Sequence, residues 1–500
     1  MDIDPRICSQ ARLSRDARFD GRFFIGVRTT HIYCRPICPV RTVKEENVHY
    51  FLTAAAAADA GYRPCLRCRP ELSPGTPAWF GTSTTVSRAL RLISESSLED
   101  RGVDGLAARL GIGSRQLRRL FLRHLGATPV AVAKTSRLHF AKKLIDETSL
   151  PMGQIALAAG FGSVRRFNAA FRQTYKRTPT ELRRSAHVAL AQPEHEYIFR
   201  LHFRPPFHWE GLLNFLSQRA VPGVEAVESG TYRRTISLNG ESGTLAVSLA
   251  ASSDALEVCI SFPEPRWLFL IVERVRRMFD LSADPSEIGL RLGRDSLLIK
   301  RLEAMPGLRV PGCWDGFELS VRALLGQQVS VRAARTLAGR LVNRFGTPLS
   351  TESTLTHLFP SPEQLAHADI SSIGLTQARG ESIRLLARAV AAGQINFASV
   401  VNLEEFQSRL CELPGIGNWT AQYIAMRALG DPDAFPAGDL GLLRAASFRN
   451  ERDLARRAER WRPWRAYAAL YLWQANDNVE ENPRRPATQR TAGKHSTAVA

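Results

Sequence analysis

The sequence predicts a multidomain, mainly α-helical protein. A small α+β unit built on four cysteines comes first, then a doubled helix-turn-helix, a second α+β unit, and a long helical region broken by a glycine hairpin. Three observations carry this. Five hundred residues are too many for one hydrophobic core, so about three or four domains are expected. Four cysteines crowd into residues 34–68. Apolar residues recur at helical spacing through 83–184 and 284–475, whereas strand-like stretches collect between them.

Composition narrows the setting. Hydrophobic residues make up 44% of the chain, ordinary for a globular protein, and no apolar run reaches the ~18 residues that span a bilayer. The opening stretch MDIDPRICSQ lacks the apolar core of a secretory signal. A reducing cytoplasm is therefore expected, and there clustered cysteines serve as metal ligands or reactive thiols more often than as disulfides. The formal net charge of +19 favours a polyanionic partner, nucleic acid ahead of a membrane surface. Between Thr82 and Arg184 stand 19 Lys/Arg against 7 Asp/Glu, a net of +12, so a dedicated nucleic-acid module is expected there.

The first unit, residues 1–78, holds Cys34 and Cys38, then a 26-residue gap, then Cys65 and Cys68. Two close pairs separated by a fold-sized loop match one tetrahedral zinc site with four thiolate ligands. The spacing by itself suits a structural zinc. GRFFIGVRTT reads as strand and residues 54–60 as an Ala-rich helix, while ELSPGTPAWFGTS (71–83) reads as a linker. The four remaining cysteines, Cys8, Cys259, Cys313 and Cys411, are scattered and read as ordinary thiols.

The second unit, 82–184, contains one plan twice. Leu106 and Ala107 lie in a short helix, Gly111-Ile112-Gly113 forms a turn, and Ser114 is the expected N-cap of a second helix. That helix directs Arg115, Arg118 and Arg119 outward and Leu117, Leu120 and Phe121 inward. Some fifty residues on, Gly160-Phe161-Gly162 is the turn, Ser163 the cap, and Arg165 and Arg166 face outward. Arginines near the start of such helices are candidates for reading base edges, the rest for phosphate. After a linker at 185–196, the strands EYIFRLHF, TYRRTISL, GTLAVSLA and LEVCISFP and a helix near 209–219 make an α+β unit over 197–283.

Residues 284–476 are helical, and 477–500 form a tail without aromatic anchors, expected to be disordered. Within the helical region, Pro414-Gly415-Ile416-Gly417 joins two helices by a sharp turn. Gly415 and Gly417 permit close approach, and amides at the following helix start bind phosphate: a helix-hairpin-helix signature. Asp439 lies twenty residues past Trp419. It is either a catalytic carboxylate or simply the cap of the helix that follows. Trp461 and Trp464 read as core.

Three resemblances follow from these motifs. VRTTHIYCRPICPVRTVKEENVHYF with AGYRPCLRCRPE resembles the amino-terminal domain of Ada-type DNA-repair regulators across residues 15–72. The resemblance implies zinc on all four cysteines, with Cys34 accepting a methyl group from a DNA methylphosphotriester. Four thiolates on zinc carry a net −2 charge, and methylating Cys34 leaves −1. At ~8 Å and an effective dielectric of ~20, one unit charge against a phosphate is worth roughly 2 kcal/mol, so methylation is expected to tighten DNA binding about tenfold or more. The repeated helical plan over 83–184 resembles the AraC/XylS-type DNA-binding domain, which implies two recognition helices about one DNA turn apart.

LPGIGNWTAQYIAMRALGDPDAFPAGDLGLLRA, with FELSVRALLGQQVSVRAARTLAGRL and AERWRPWRAYAALYLW, is similar to AlkA-type 3-methyladenine DNA glycosylases over 197–475. The resemblance implies a TBP-like fold for the α+β unit. It makes Asp439 the catalytic aspartate, Trp419, Tyr423 and Trp473 the base-pocket rings, and Gln328 the residue that wedges into the duplex, a place some members give to an apolar side chain. A cationic alkylated purine leaves as a neutral base, so one carboxylate and electron-rich rings suffice, without a general acid or a cofactor. The lysine that gives some relatives lyase activity is replaced by Trp419, so a monofunctional glycosylase is expected. No Pro-Cys-His-Arg methyltransferase signature is found, so O6-methylguanine repair is not expected.

Together these readings describe a fused alkylation-repair protein and transcriptional activator. It would bind double-stranded DNA at lesions and at a promoter operator, engage RNA polymerase, and work as a nucleoid-associated monomer. The alternative is a transcription regulator with a structural zinc module and a catalytically weak glycosylase half that only grips DNA.

Overall fold

The structure, a computed structural model, describes residues 4–75, 84–95, 102–184, 193–251, 253–349, 354–398, 400 and 402–480. Residues 76–83 and 185–192 of the expected linkers, and the tail beyond 480, lie outside the described residues.

The first unit carries α1 (Pro5–Ser14), β1 (Phe24–Val27), β2 (Ile32–Cys34), β3 (Val48–Phe51), α2 (Ala54–Asp59) and β4 (Arg63–Pro64). Its sheet runs β3-β1-β2-β4, antiparallel except for the β2–β4 pair. Thr53 caps α2 by accepting from the Ala56 amide at 3.0 Å. The small side chains of Ala54–Ala57 let this helix pack closely, in one cluster with Phe24, Tyr33, Phe51 and Ala127 of the next unit.

That next unit comprises α3 (Thr84–Glu95), α4 (Gly102–Arg109), α5 (Ser114–Leu125), α6 (Pro129–Glu147), α7 (Met152–Ala158), α8 (Val164–Tyr175) and α9 (Pro179–Arg184). Both second helices bury residues at i, i+4 and i+8: Leu117, Phe121 and Leu125 in α5, and Phe167, Phe171 and Tyr175 in α8. Their opposite faces stay exposed. Gly111 and Gly160 take the left-handed conformation that turns the chain between the paired helices. Ser163 caps α8, accepting from the Arg166 amide at 3.2 Å. Ser114 does not cap α5: Gly113 takes the extended N-cap backbone, no side chain caps there, and Ser114 is the first helical residue. The 19-residue α6, about 28 Å long, joins the two units and fixes their separation.

The third unit is a five-stranded antiparallel sheet, β5-β9-β8-β7-β6, of β5 (Glu196–His202), β6 (Glu225–Glu228), β7 (Thr231–Leu238), β8 (Glu241–Leu249) and β9 (Ala255–Ser261). With it come α10 (Trp209–Arg219) and α11 (Leu268–Met278). Along β5, Tyr197, Phe199 and Leu201 point inward while Glu196, Ile198 and Arg200 point out, the two-residue period of a half-covered sheet. Strand β6 had no counterpart in the sequence reading.

The last region holds α12 (Pro285–Leu292), α13 (Ile299–Ala304), α14 (Gly316–Leu325), α15 (Val331–Phe345), the short strand pair β10 (Thr347–Pro348) and β11 (His357–Leu358), and α16 (Pro362–Leu365). After these come α17 (Gln377–Ala391), α18 (Leu403–Cys411), α19 (Asn418–Arg427), α20 (Leu440–Ala445), α21 (Glu451–Ala458) and α22 (Arg465–Glu480). Helix α22 takes in residues 477–480, beyond the boundary at 476 that the sequence predicts. One core joins the sheet to α11–α13 and α20–α22, with Trp461 and Trp464 buried in it. A second core gathers α14–α19. The catalytic candidates lie where the two cores meet.

Contacts tie the units together. Tyr33 Oη lies 2.8 Å from His139 Nε2 on α6, and Arg69 pairs with Asp146 at 2.6 Å. Lys143 Nζ donates to the Arg200 carbonyl at 2.6 Å. Arg22 pairs with Glu287 at 2.8 Å, and Arg91 donates to the Ala428 carbonyl at 3.2 Å.

Candidate active site and metal centre

The four thiols predicted as ligands converge. The Sγ atoms of Cys34, Cys38, Cys65 and Cys68 all lie within 4.8 Å of one another. Strand β2 delivers Cys34, the turn after it Cys38, and the loop after β4 the other two. Zinc–sulfur bonds of ~2.3 Å place tetrahedral sulfurs ~3.8 Å apart, so this donor set fits zinc. The backbone is pinned around it. Arg35 is 5% exposed, donates its amide to Cys68 Sγ at 3.4 Å and its guanidinium to the Cys68 carbonyl at 3.1 Å, and is paired with buried Asp20. Cys34 is 9% exposed, and Cys38 is the most open of the four.

On the doubled helix-turn-helix, Arg115, Arg118, Arg119, Arg165 and Arg166 are all exposed on the outer faces of α5 and α8. No helix among the described residues is long and apolar enough to cross a membrane.

The glycine hairpin lies between α18 and α19. Ile416 is buried and anchors it in the second core, whereas Pro414, Gly415, Gly417 and Asn418 face solvent. Gly415 has φ +84°, and a Cβ there would stand 2.3 Å from Ser382 Oγ. Gly415→Ala is therefore expected to cost about 2 kcal/mol of stability and to weaken DNA binding, read by denaturant midpoint and by titration with duplex. Gly417 is the N-cap of α19 and adds no clash, so its exposed amide neighbours open onto solvent.

Beside the hairpin, the loop between α14 and α15 presents Gln328, exposed and with φ +56°. Its neighbour Gln327 braces the loop, donating to the Gly415 carbonyl at 2.8 Å and to Thr420 Oγ1 at 3.0 Å. Arg379 donates to the Gln327 carbonyl at 2.8 Å. The wedge candidate and the hairpin thus form one surface.

Behind that surface is the ring cluster. Trp419 and Tyr423, one turn apart on α19, stack with centroids 5.4 Å apart and planes 8° from parallel. Trp473 on α22 meets Tyr423 edge-on at 6.2 Å. Asp439 is half-buried among them. It caps α20, its Oδ1 accepting from the Leu442 amide at 2.9 Å. The same carboxylate accepts from Trp473 Nε1 (to Oδ1, 2.9 Å) and from Trp419 Nε1 (to Oδ2, 2.9 Å). Capping and facing the rings are therefore one geometry, not competing ones.

Sequence reasoning missed Gln327 and Arg427. Arg427 is 5% exposed and donates to Tyr423 Oη at 2.6 Å and to the carbonyls of Pro311 and Gly312 at 2.8 and 3.2 Å. Burial pushes the Tyr423 phenol up, but the guanidinium of Arg427, with Arg219 and Arg322 farther off, holds it below the usual value. The signal was present: 419, 423 and 427 share one helical face.

Hairpin, adjoining glutamine loop and ring-lined carboxylate form one surface, and the model of the HhH-GPD superfamily of base-excision DNA repair proteins, the helix-hairpin-helix class, matches residues 321–459. Further matches are the AlkA N-terminal domain over 198–315, the metal binding domain of Ada over 7–71, and a helix-turn-helix domain over 106–185.

The chain belongs to the family of bifunctional AlkA proteins in which these parts are joined. A Mycobacterium tuberculosis member, named "Probable bifunctional transcriptional activator/DNA repair enzyme AlkA", is 44% identical over 481 residues, 95% of this chain and 97% of the relative. The Escherichia coli protein named "DNA-3-methyladenine glycosylase 2" is 33% identical over 279 residues, 55% of this chain and 96% of that one. Among solved structures, a 3-methyladenine DNA-glycosylase from Archaeoglobus fulgidus superimposes with a TM-score of 0.51 at 25% identity, covering 57% of this chain and 99% of that chain. The chain is thus a DNA-binding protein that carries a DNA glycosylase fold, a helix-turn-helix domain and an Ada-type zinc-binding domain.

Proposed function

We propose that the protein is a bifunctional DNA alkylation repair enzyme and transcriptional activator, with a monofunctional glycosylase acting on 3-methyladenine-type purines. The observation that carries the reading is the Asp439 carboxylate, held by two indole N–H groups inside the Trp419–Tyr423–Trp473 cluster.

The exposed hairpin glycines Gly415 and Gly417 and the amides at the start of α19 grip backbone phosphate, and Gln328 fills the space vacated by a flipped nucleotide. The rings stack on the extruded base and attract its positive charge by ~0.5–2 kcal/mol each. The C1′–N bond breaks and its electron pair leaves with the base, which departs neutral. Asp439 stabilises the sugar cation. Water adds its oxygen to C1′ and passes its proton to the carboxylate and on to solvent. Trp419 stands where a lyase would need an amine, so the product is an intact strand with an abasic site. No cofactor enters this step.

In the amino-terminal unit, Cys34, Cys38, Cys65 and Cys68 hold zinc. Bound zinc keeps thiols deprotonated at neutral pH. The Cys34 sulfur attacks the methyl carbon of a methylphosphotriester, the C–O bond breaks, and its electron pair stays on the phosphate oxygen. The products are S-methylcysteine and an ordinary phosphodiester. One negative charge is lost from the protein near DNA, which strengthens its hold on the duplex. Arg115, Arg118, Arg119, Arg165 and Arg166 read and grip the operator, and the bound monomer recruits RNA polymerase.

Incubating the protein with methylated duplex tests both halves. Mass spectrometry should find free 3-methyladenine and one methyl adduct on Cys34, and gels should show nicks only after alkali. Absence of free base rejects the glycosylase, an adduct on Cys38 instead rejects the assignment of the acceptor, and nicks before alkali reject monofunctionality.

A further inference from the structure

We infer that Trp419 and Trp473 act on the reaction through their indole N–H groups, as a two-point clamp that positions the Asp439 carboxylate, and not through their ring faces alone. This rests on the reading of Asp439 as the catalytic carboxylate.

Three helices converge on this one side chain. Asp439 stands at the start of α20, Trp419 in the first turn of α19 and Trp473 within α22. The donors come from 20 and 34 residues away, and both N···O distances are 2.9 Å. An indole has one donor and no acceptor, and in both Trp residues that donor is spent on the carboxylate.

The two oxygens are loaded unequally. A carboxylate offers about four accepting directions, two per oxygen. Oδ1 takes the Leu442 amide and Trp473 Nε1. Among the described residues, Oδ2 takes only Trp419 Nε1. The remaining accepting direction therefore lies on Oδ2, the oxygen that Trp419 of the ring cluster holds. The clamp fixes which oxygen meets the sugar, and it holds the charged carboxylate in place before substrate arrives. Positioning of this kind contributes to the rate rather than to binding. The arrangement also ties recognition to chemistry, because a ring that shifts with the wrong base loosens the carboxylate.

Trp419→Phe and Trp473→Phe keep an aromatic face but lose the N–H together with the five-membered half of the indole, and the Asp439→Asn background separates these two losses. In single-turnover assays on duplex carrying 7-methylguanine, each is expected to slow base release by about tenfold, with half-saturation changed by less than about threefold. The same substitutions placed on Asp439→Asn should slow it by less than about twofold more, because the partner they orient is gone. Retained affinity for abasic-site duplex verifies that each variant is folded. In wild type labelled with 15N-tryptophan, two indole N–H resonances should move on Asp439→Asn. A further tenfold loss from Phe in the Asn background overturns the clamp alone and leaves stacking as the role of the rings. A wild-type rate from Asp439→Asn overturns the reading of Asp439 and the clamp with it.

Discussion

Asp439→Asn is expected to reduce release of alkylated base by about a hundredfold to a thousandfold while leaving the fold in place. Removing a single preorganised charge-stabilising group from a water-poor site costs about 10²–10³ in rate, and the proposed reaction assigns no second carboxylate to compensate. Stability should survive because Asn is as good an N-cap as Asp, so the bond from the Leu442 amide persists. One indole N–H would then face an amide NH2 instead of an oxygen, a loss of about 1–2 kcal/mol. Single-turnover base release and a melting curve, measured side by side, check both halves. A variant that melts like wild type and still frees base at the wild-type rate would remove the chemistry proposed for this site.

The second large effect concerns stability. Glu225, at the start of β6, is the hub of a buried cluster. It accepts from Tyr232 Oη at 2.6 Å and from the Val221 amide at 3.0 Å, and it pairs with Arg322 at 2.9 Å. Arg322 also pairs with Glu318 at 2.9 Å, and Glu318 with Arg234 at 2.7 Å. Burial alone would push the Glu225 carboxyl up, but Arg322, Arg234 and the hydrogen bonds from Tyr232 and Val221 outweigh it and hold it below the usual carboxylate value. Glu225→Ala leaves two guanidiniums sharing one carboxylate and two donors without an acceptor. The expected loss is about 3–5 kcal/mol, the range for breaking a buried pair from one side. Because the folded-state value is depressed, the stability contributed by Glu225 is complete above the ordinary carboxylate value of 4.5 and drains away as pH falls below it. Urea midpoints of wild type and variant should therefore differ most at neutral pH and converge in acid.

The cluster also bears on activity. Glu318 and Arg322 lie on α14, which ends at the loop carrying Gln327 and Gln328. Loosening its pairing with the sheet should blur the wedge before it unfolds the chain.

Much of this was legible in the residues. Paired cysteines, the doubled Gly-turn helices and Pro414-Gly415-Ile416-Gly417 are local patterns, each bound to one geometry by chemistry that a few neighbouring residues supply. The strands were visible where one face is buried, as in TYRRTISL, which forms β7 as read. What could not be read is whatever depends on residues meeting across the fold. The two indole N–H bonds to Asp439 join α19, α20 and α22. Gln327 is ordinary until the hairpin carbonyl comes within reach, and Arg427 until Tyr423 is stacked beside it. Residues 284–314 read as the start of the helical domain, but Ile288, Leu292, Leu298, Leu308 and Trp314 pack into the core that contains the sheet. Periodicity tells which face is apolar, not which partner covers it. Ser114 failed as a cap for a related reason, since a glycine one residue earlier could adopt the extended backbone instead.

Helix α19 has two ends with different clients. Its first turn offers amides to a phosphate and an indole to Asp439, while the carbonyls just past its last turn receive Arg91 from α3. Ten residues, about 15 Å, separate the hairpin end of this helix from its contact with α3 of the helix-turn-helix unit. So short and stiff a spacer passes a displacement at the hairpin directly to α3. A duplex seated on one unit would then be felt by the other, so grip on DNA at the two ends of the helix is mechanically linked.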